Sequence, residues 1–184
     1  MKPVERTDIV DYQTYTDERA SFRTQVLEEK ALRRVHVGPN LTFLFENRTT
    51  VRYQVQEMMR VEQIVREAEI AHELATYNEL LGGEGELGCT LLIEIDGEEE
   101  RAQKLSAWLD MPRHLYGLLE NGERVRFRFD ERQMGDTRLS SVQYLKLRTG
   151  GAVPVALGCD LPDYCVESTL PEATRAALGS DLTD

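Results

Sequence analysis

The chain has 184 residues, of which 41% are hydrophobic and 30% are charged, enough for one substantial core of ordinary globular composition. A formal net charge of −11 repels phosphate backbones, which argues against nucleic acid as a partner. No apolar run reaches the roughly 18 residues that a bilayer-spanning helix needs, and the N-terminal residues lack the apolar stretch of a secretory signal. We therefore expect a cytoplasmic protein with no membrane partner.

The first half of the sequence is dominated by helical patterns. Thr16 or Asp17 can cap a helix that continues to about Arg34. A second pattern, capped by Asn47, Thr49 or Thr50, runs without interruption until Gly82-Gly83. This pattern predicts one long helix over about residues 49–80, long enough to span the molecule or to pair with another chain.

Strand patterns prevail in the second half and also occur between the two helices. Two β-prone runs flank the turn signal Gly38-Pro39-Asn40. From Glu86 onward the hydrophobic period changes, and Asn121-Gly122 between β-prone runs predicts a hairpin. Two short helices are also predicted here, one over residues 98–109 and one in the run PEATRAALG. Further candidate strands occur in the runs LSSVQYLKL and AVPVALG.

This order of elements predicts an α+β fold, with N-terminal helices packed against a mainly antiparallel C-terminal sheet. We predict a single domain of residues 1–184. Its helical layer would cover about residues 1–85, its sheet layer about residues 86–160, and an acidic C-terminal tail residues 161–184.

The lower half of the predicted long helix carries a candidate metal site. Glu69 and His72 have the E-x-x-H spacing that places both side chains on one helix face, as in the ligand units of carboxylate-bridged di-iron bundles. Glu62 and Glu73 lean toward the same side. These four residues could hold iron, zinc or manganese.

A heptad pattern places this cluster beside a buried line. Val51, Met58, Val65 and His72 recur seven residues apart, as do Val61, Ala68 and Ala75 in a second row. The pattern predicts a seam facing a partner helix or the sheet, with His72 buried on it. A helix of this kind could also form a homodimer.

A purely structural interpretation competes with the metal site, and we favour it. Arg66 lies at i+4 from Glu62 and at i−3 from Glu69, so the row could be a solvated salt ladder. A di-iron centre needs a second E-x-x-H unit, which this sequence, with three histidines, lacks. A metal site would therefore require ligands from elsewhere, for example from a second copy of the chain.

Other candidate residues are more isolated. His114 precedes a predicted strand without a nucleophile beside it in sequence, and with Cys159 and Cys165 it could form a thiol or metal cluster. Cys89 lies in an apolar run and is expected to be a small core residue. Three cysteines without a C-x-x-C pair argue against a disulfide framework.

Several sequence blocks are familiar: VGPNLTFLFENRTTVRYQVQEMMRVEQI, then ELATYNELL, CTLLIEI and SSVQYLKL. With them the chain resembles bacterial domain-of-unknown-function family 3501, over roughly residues 10–160. The resemblance implies genes encoded beside rubrerythrin-like proteins and beside iron–sulfur proteins related to heterodisulfide reductase subunits. That setting implies a role in redox or peroxide-defence biochemistry, but it supplies no catalytic residues.

Polar residues within these blocks are a second place to look for function. They could cap the helix and pair it with the sheet, or they could line a polar groove where helix and strands cross. The residues are Glu46, Asn47, Arg48, Gln54, Gln56, Glu57, Arg60, Glu62, Tyr77 and Asn78.

Three hypotheses follow, and they leave open whether the chain is an enzyme. The first, which we favour, is an accessory or assembly protein that acts with a rubrerythrin-like and iron–sulfur redox system. The second is a metal-binding redox or iron-handling protein that uses the Glu/His cluster, completed across a dimer. The third is a small-molecule enzyme or binder that uses His114 with the sheet.

Overall fold

The computed structural model describes residues 1–131 and 135–183, and its helices and antiparallel sheets confirm the α+β class. None of the helices in these ranges combines the length and the apolar character needed to cross a bilayer. The elements are, in chain order, α1 (Tyr12–Arg33), β1 (Arg34–Val37), β2 (Leu41–Glu46), α2 (Arg48–Glu62), α3 (Glu67–Asn78), β3 (Glu86–Ile93), α4 (Glu98–Ala107), α5 (Met111–His114), β4 (Leu115–Leu118), β5 (Arg124–Arg126), β6 (Arg128–Phe129), β7 (Val142–Arg148), β8 (Ala156–Leu161), β9 (Tyr164–Thr169) and α6 (Glu172–Thr183).

The strands form two antiparallel sheets. The first sheet has the order β1-β2-β3-β7-β6 and the second has the order β5-β4-β8-β9. The predicted turn at Gly38-Pro39-Asn40 joins β1 to β2, and Gly38 there has a φ of 62°, a conformation that favours glycine. The predicted hairpin at Asn121-Gly122 joins β4 to β5. The first sheet thus takes two of its strands, β1 and β2, from the part of the chain that precedes α2.

The main apolar core lies between the two sheets. Alternate residues of each strand point toward this core. Phe43 of β2, Leu91 of β3 and Leu145 of β7 are fully buried there and form the side that the first sheet contributes. Leu115 and Leu157 meet them from the second sheet. Cys89 belongs to this core, as predicted.

A second apolar cluster holds the helical layer together and shares no residue with the first. Val55 and Met59 of α2 pack with Ile70 and Leu74 of α3. Val4, from the segment that precedes α1, completes the cluster. The helical layer therefore has its own core on the outer side of the first sheet, where α1 contacts β2.

The single long helix predicted over residues 49–80 is wrong, because the chain leaves the helical path between α2 and α3. Gln63 adopts the left-handed conformation, with φ 54° and ψ 42°, and its N–H donates to the carbonyl of Met59. The turn places Ile64 in the helical-layer core. Burial of this side chain offsets the cost of a left-handed non-glycine residue, about 1–2 kcal/mol.

The first helix begins earlier than predicted. Asp11, and not Thr16 or Asp17, is its cap, because the Asp11 Oδ1 atom accepts hydrogen bonds from the backbone N–H groups of Gln13 and Thr14. Within the predicted acidic tail, β9 was not expected, whereas the helix predicted in PEATRAALG is present as α6 and extends beyond Gly179. Leu178 of α6 is fully buried in the main core. Residue 184, the end of that predicted tail, lies outside the described part.

Candidate functional site

The four residues of the predicted metal site lie on an exposed edge of the helical layer. Glu62 ends α2, while Glu69, His72 and Glu73 lie on α3 beyond the break. Glu73 is half-buried and the other three are exposed. No group of three or more His, Cys, Asp or Glu side chains in residues 1–131 and 135–183 is arranged to hold a metal ion.

The prediction of a buried heptad seam is wrong for its C-terminal residues. Val51 is buried, but Val61 and Val65 are 63% and 67% exposed, and His72 is exposed rather than buried. A seven-residue repeat maintains one face only along a continuous helix, and the turn at Gln63 resets the face. On α3 the buried positions are instead those of Ile70 and Leu74, described above.

Arg66 forms part of the predicted salt ladder. Its Nη1 atom lies 3.7 Å from the Glu69 Oε1 atom, and both side chains are largely exposed. Such a pair contributes little to stability. Arg66 also occupies the N-cap position of α3, beyond the end of α2. Glu62 and Glu69 therefore do not share one continuous helix face, and the predicted salt ladder does not extend to Glu62.

Most polar residues of the family-like blocks hold the helical layer together. Asn47 caps α2, and Glu46 accepts hydrogen bonds from the hydroxyls of Thr50 and Thr90, which fixes the start of α2 on the first sheet. Glu57 accepts hydrogen bonds from the side chains of Tyr15 and Arg19 on α1. The structural alternative for these positions is therefore the better description.

Tyr77 differs from these residues because it lines an open cleft of about 610 Å³ between the end of α3 and the first sheet. The size is typical of a small-molecule site. Its lining combines an apolar wall with tyrosines and with charges of both signs. We call this the α3–sheet cleft; its lining residues are Thr76, Tyr77, Glu79, Leu80, Glu86, Cys89, Arg128, Phe129, Asp130, Tyr144, Leu145 and Lys146.

Lys146 is the least usual residue of the α3–sheet cleft. Its Nζ atom donates hydrogen bonds to two backbone carbonyls beyond α3, that of Glu79 at 2.6 Å and that of Leu81 at 2.5 Å. Burial lowers the pKa of this amine, while the carboxylates of Glu86 and Glu79 act in the opposite direction. The amine thus has neutral acceptors, and no ion pair joins it to a carboxylate in residues 1–131 and 135–183.

A glycine in the first sheet makes room for the turn that carries these two carbonyls. Gly88 of β3 lies between Glu46 and Lys146 in the strand register, and the turn after α3 passes directly over it. A Cβ atom at Gly88 would lie 1.8 Å from the carbonyl oxygen of Leu80. Glycine is therefore required for α3 to end against the sheet within reach of Lys146.

Arg128 of β6 supplies a second cation, directly beside Lys146 in the strand register. Its Nη1 atom lies 3.5 Å from the Glu86 Oε1 atom, and its side chain is 68% exposed. Glu86 is also bonded to the backbone N–H of Gly83. A guanidinium held by one long ion pair retains donors for an incoming anion.

Sequence reasoning missed this cleft because its residues come from distant parts of the chain. A signal existed: Tyr144 and Lys146 alternate with the buried Leu145 and Leu147 on β7, which directs the polar pair to the helical side. The sequence does not indicate that this side is left partly open at the end of α3.

His114 is paired with a carboxylate and not with cysteines. Its Nδ1 atom lies 3.0 Å from the Asp160 Oδ1 atom. Arg126 donates two hydrogen bonds to Asp160, at 2.9 and 2.6 Å, which with His114 hold the pKa of this carboxyl at about 2. Cys159 is a buried free thiol whose pKa is raised by burial, and Cys165 is exposed.

A tyrosine completes this outer surface of the second sheet. The Tyr116 hydroxyl donates to Glu167 at 2.7 Å, and the guanidinium of Arg124 lies 4.4 Å from the ring centre. The ring lies over Gly158, where a Cβ atom would come within 2.4 Å of it. These groups largely satisfy one another, and neither described pocket includes them.

Comparison with known proteins finds a matching family and a closely similar structure of comparable length. The model of a family described as "Protein of unknown function (DUF3501)" matches residues 3–182. A crystal structure of a "novel protein of unknown function" from Burkholderia pseudomallei K96243 has 28% sequence identity and a TM-score of 0.90, and the match covers 98% of this chain and 100% of that one. No curated protein matches the chain.

Proposed function

Because this chain belongs to the DUF3501 family of unknown function, we propose its activity from geometry: it binds a small amphipathic carboxylate in the α3–sheet cleft. The observation that carries the proposal is Lys146, a partly buried amine bonded to two carbonyls at the wall of an open cleft. Of the three N–H groups of an ammonium, two are used in these bonds. The third has no acceptor among the described residues, which leaves it to a ligand.

The rest of the cleft suits the two parts of such a ligand. Leu80 and Phe129 offer apolar surface to its body. Arg128 and Lys146 offer donors to its carboxylate or to a neighbouring carbonyl oxygen. Aromatic and apolar walls with a few convergent polar groups are the usual composition of small-molecule sites.

Phenylpyruvate is a suitable probe, since it combines an aromatic ring, a ketone and a carboxylate. We expect it to raise the melting temperature of the protein and to shift backbone amide NMR signals of β7 and the end of α3. 2-Phenylethanol, which retains the ring and lacks the carboxylate, serves as the ligand control. Binding of the two compounds with equal affinity would argue against the proposed role of the cations.

Two variants with matched controls locate the binding. Arg128→Ala and Lys146→Met should each weaken phenylpyruvate binding at least tenfold. The controls are Arg175→Ala, at the separate pocket beside α6, and Lys104→Met on α4. If the control variants lose as much affinity as the cleft variants, the ligand binds elsewhere and the proposal fails.

An accessory role in the cytoplasm beside a rubrerythrin-like and iron–sulfur redox system is a second candidate. Supporting it are the family resemblance and the exposed valines Val61 and Val65, which lie among acidic residues where α2 turns into α3. Exposed apolar residues with surrounding charges are typical of docking surfaces. Here the partner would be a protein and the cleft would be incidental.

Binding of purified partner proteins tests this role. Val61→Ser with Val65→Ser should abolish co-migration with a rubrerythrin-like or iron–sulfur protein in gel filtration. Leu27→Ser with Leu32→Ser, exposed on α1, is the control and should leave it unchanged. Absence of any complex for the wild-type chain would reject the role.

The metal-binding alternative requires two chains. Glu62, Glu69, His72 and Glu73 would provide half of a site, and a symmetry-related copy would provide the second E-x-x-H unit. The solvent exposure of Glu69 and His72 would allow such pairing. Elemental analysis for iron, zinc and manganese, with the mass in solution measured on the same tag-free sample, tests it.

In that experiment a dimer with about one or more metal ions per chain would support the site, and His72→Ala should then remove the metal. His36→Ala, an exposed histidine on β1, is the control. Metal content that is unchanged in the His72→Ala protein would rule out these ligands.

A further inference from the structure

The two carbonyls beyond α3 fix the direction in which the Lys146 amine faces. Its nitrogen has four tetrahedral positions, of which one is the bond to Cε and two are the N–H bonds to the carbonyls of Glu79 and Leu81. The fourth position points away from both carbonyls and is left to the α3–sheet cleft, which Lys146 lines. In the ammonium this position holds the third N–H, and in the neutral amine it holds the lone pair.

The surroundings of Lys146 also favour a reactive amine. The side chain is half-buried, its two acceptors are uncharged, and burial lowers its pKa. Lys104 on α4 differs, because it forms an ion pair with Glu100 at 2.7 Å. A lysine that is partly withdrawn from water and not paired with a carboxylate is the kind that attacks carbonyl compounds, since only the neutral amine is a nucleophile.

The position of Arg128 indicates which carbonyl compound fits. Arg128 is the direct partner of Lys146 between β6 and β7, and both residues line the α3–sheet cleft. Residues opposite each other in antiparallel strands point to the same face, with Cβ atoms about 4.5–5.5 Å apart. A guanidinium and an amine this close can contact adjacent groups of one small molecule. In a 2-oxo acid the carboxylate is bonded directly to the ketone carbon, which suits such a pair.

We propose that Lys146 forms a Schiff base with a 2-oxo acid whose carboxylate binds Arg128. This step rests on the proposed function, because the acid must first bind in the α3–sheet cleft. The lone pair of Nζ attacks the ketone carbon, so a C–N bond forms and the C–O bond then breaks. The oxygen leaves as water, with one proton from the amine and one from solvent. The iminium keeps one N–H, which retains one of the two bonds to the backbone carbonyls.

Reductive trapping of the full-length protein with phenylpyruvate and sodium cyanoborohydride tests this chemistry, because hydride converts the iminium to a stable secondary amine. Mass spectrometry should show that each chain gains one phenylpyruvic acid molecule less one oxygen atom. Peptide mapping should place the addition at Lys146. The other lysines of the chain are internal controls and should be labelled several-fold less; they are Lys2, Lys30 and Lys104.

Two analogues of phenylpyruvate separate the role of the ketone from that of the carboxylate. 3-Phenylpropanoate keeps the carboxylate and lacks the ketone, so it should compete with phenylpyruvate and reduce the labelling of Lys146. Phenylacetone keeps the ketone and lacks the carboxylate, so it should label Lys146 several-fold less than phenylpyruvate does. Equal labelling of Lys146 by both ketones, or labelling of Lys146 no greater than that of Lys104, overturns the proposal.

Backbone amide NMR without the reductant distinguishes failure of the Schiff base from failure of binding. Lys146→Arg keeps a cation with N–H donors but has no primary amine. With circular dichroism showing that it is folded, it should still show ligand-induced shifts with phenylpyruvate and gain no adduct; an undiminished adduct would contradict the assignment. If the wild type shows the shifts and Lys146 stays unlabelled, the Schiff base is wrong and the proposed function stands. If neither is observed, both are wrong.

Discussion

Arg33 and Asp181, 148 residues apart in sequence, form a buried two-point ion pair that joins α1 to α6. The Nε and Nη2 atoms of the guanidinium donate to the two carboxylate oxygens at 2.8 and 2.9 Å, and Glu29 binds Nη1. Both side chains of the pair are less than a tenth exposed. The bond is the main polar connection between the C-terminal helix and the helical layer.

Removal of one partner of this pair should be strongly destabilising. Asp181→Ala leaves the Arg33 guanidinium buried with reduced compensation, and we expect the free energy of unfolding to fall by about 3–5 kcal/mol. The double variant Arg33→Met, Asp181→Leu removes both charges and should recover most of that loss. Urea denaturation of the three chains measures it, and equal losses in the single and double variants would contradict the explanation.

The Glu57 carboxylate should make stability depend on pH in the acid range. Hydrogen bonds from Arg19, and then from Tyr15, lower its pKa to about 2 from an ordinary value near 4.5. Since the folded-state pKa is the lower one, the contribution is complete above about pH 5 and is lost as the pH falls toward 2. The gap in unfolding free energy between wild type and Glu57→Gln should therefore narrow below pH 5.

Urea titrations at several pH values between 7 and 2.5 provide the measurement. Glu18→Gln, an exposed position on α1, is the control and should follow the wild type at every pH. If the difference in unfolding free energy between the wild type and Glu57→Gln does not change with pH, the hydrogen bonds of Glu57 do not depend on its charge.

Glycine at position 63 should stabilise the protein. Gln63 is the sole described non-glycine residue with positive φ, and glycine adopts that conformation without the Cβ penalty. We expect Gln63→Gly to raise the free energy of unfolding by about 0.5–1 kcal/mol. Gln54→Gly, within α2, is the matched comparison and should lower it by about 1 kcal/mol. The prediction is wrong if both substitutions destabilise equally.

Gly158 and Tyr116 should be energetically coupled. Gly158→Ala forces the Tyr116 ring away from the sheet and from its hydrogen bond to Glu167, at a cost of about 1–3 kcal/mol. In the background of Tyr116→Ala the same change has no ring to displace and should cost much less. A double-mutant cycle by thermal denaturation measures the coupling, and additive effects would refute it.

Much of the fold could be predicted because short-range signals were sufficient. The alternation on β7, the turn at Gly38 and the Asn47 cap each depend on neighbouring residues. The break at Gln63 could not be predicted in this way. The surrounding sequence contains no glycine or proline, and the turn is stabilised by burial of Ile64 among residues of other elements.

The candidate site was predictable only in part, for the same reason. Tyr77 was singled out among the polar residues of the family-like blocks, but Lys146 and Arg128 were not. Their significance depends on where α3 ends relative to the first sheet, which is set by a glycine contact across the layers. The exposed position of His72 has the same origin, since it depends on the turn between α2 and α3.

The separation of the apolar interior into two clusters has a consequence for local unfolding. Sub-global openings follow cooperative packing units, and here the units are the paired sheets and the helical layer. We expect native-state hydrogen exchange to resolve two free-energy levels, with the amides of α2 and α3 exchanging through the lower one. The family could then vary its helical layer, and with it one wall of the cleft, while the paired sheets keep their own cooperative stability.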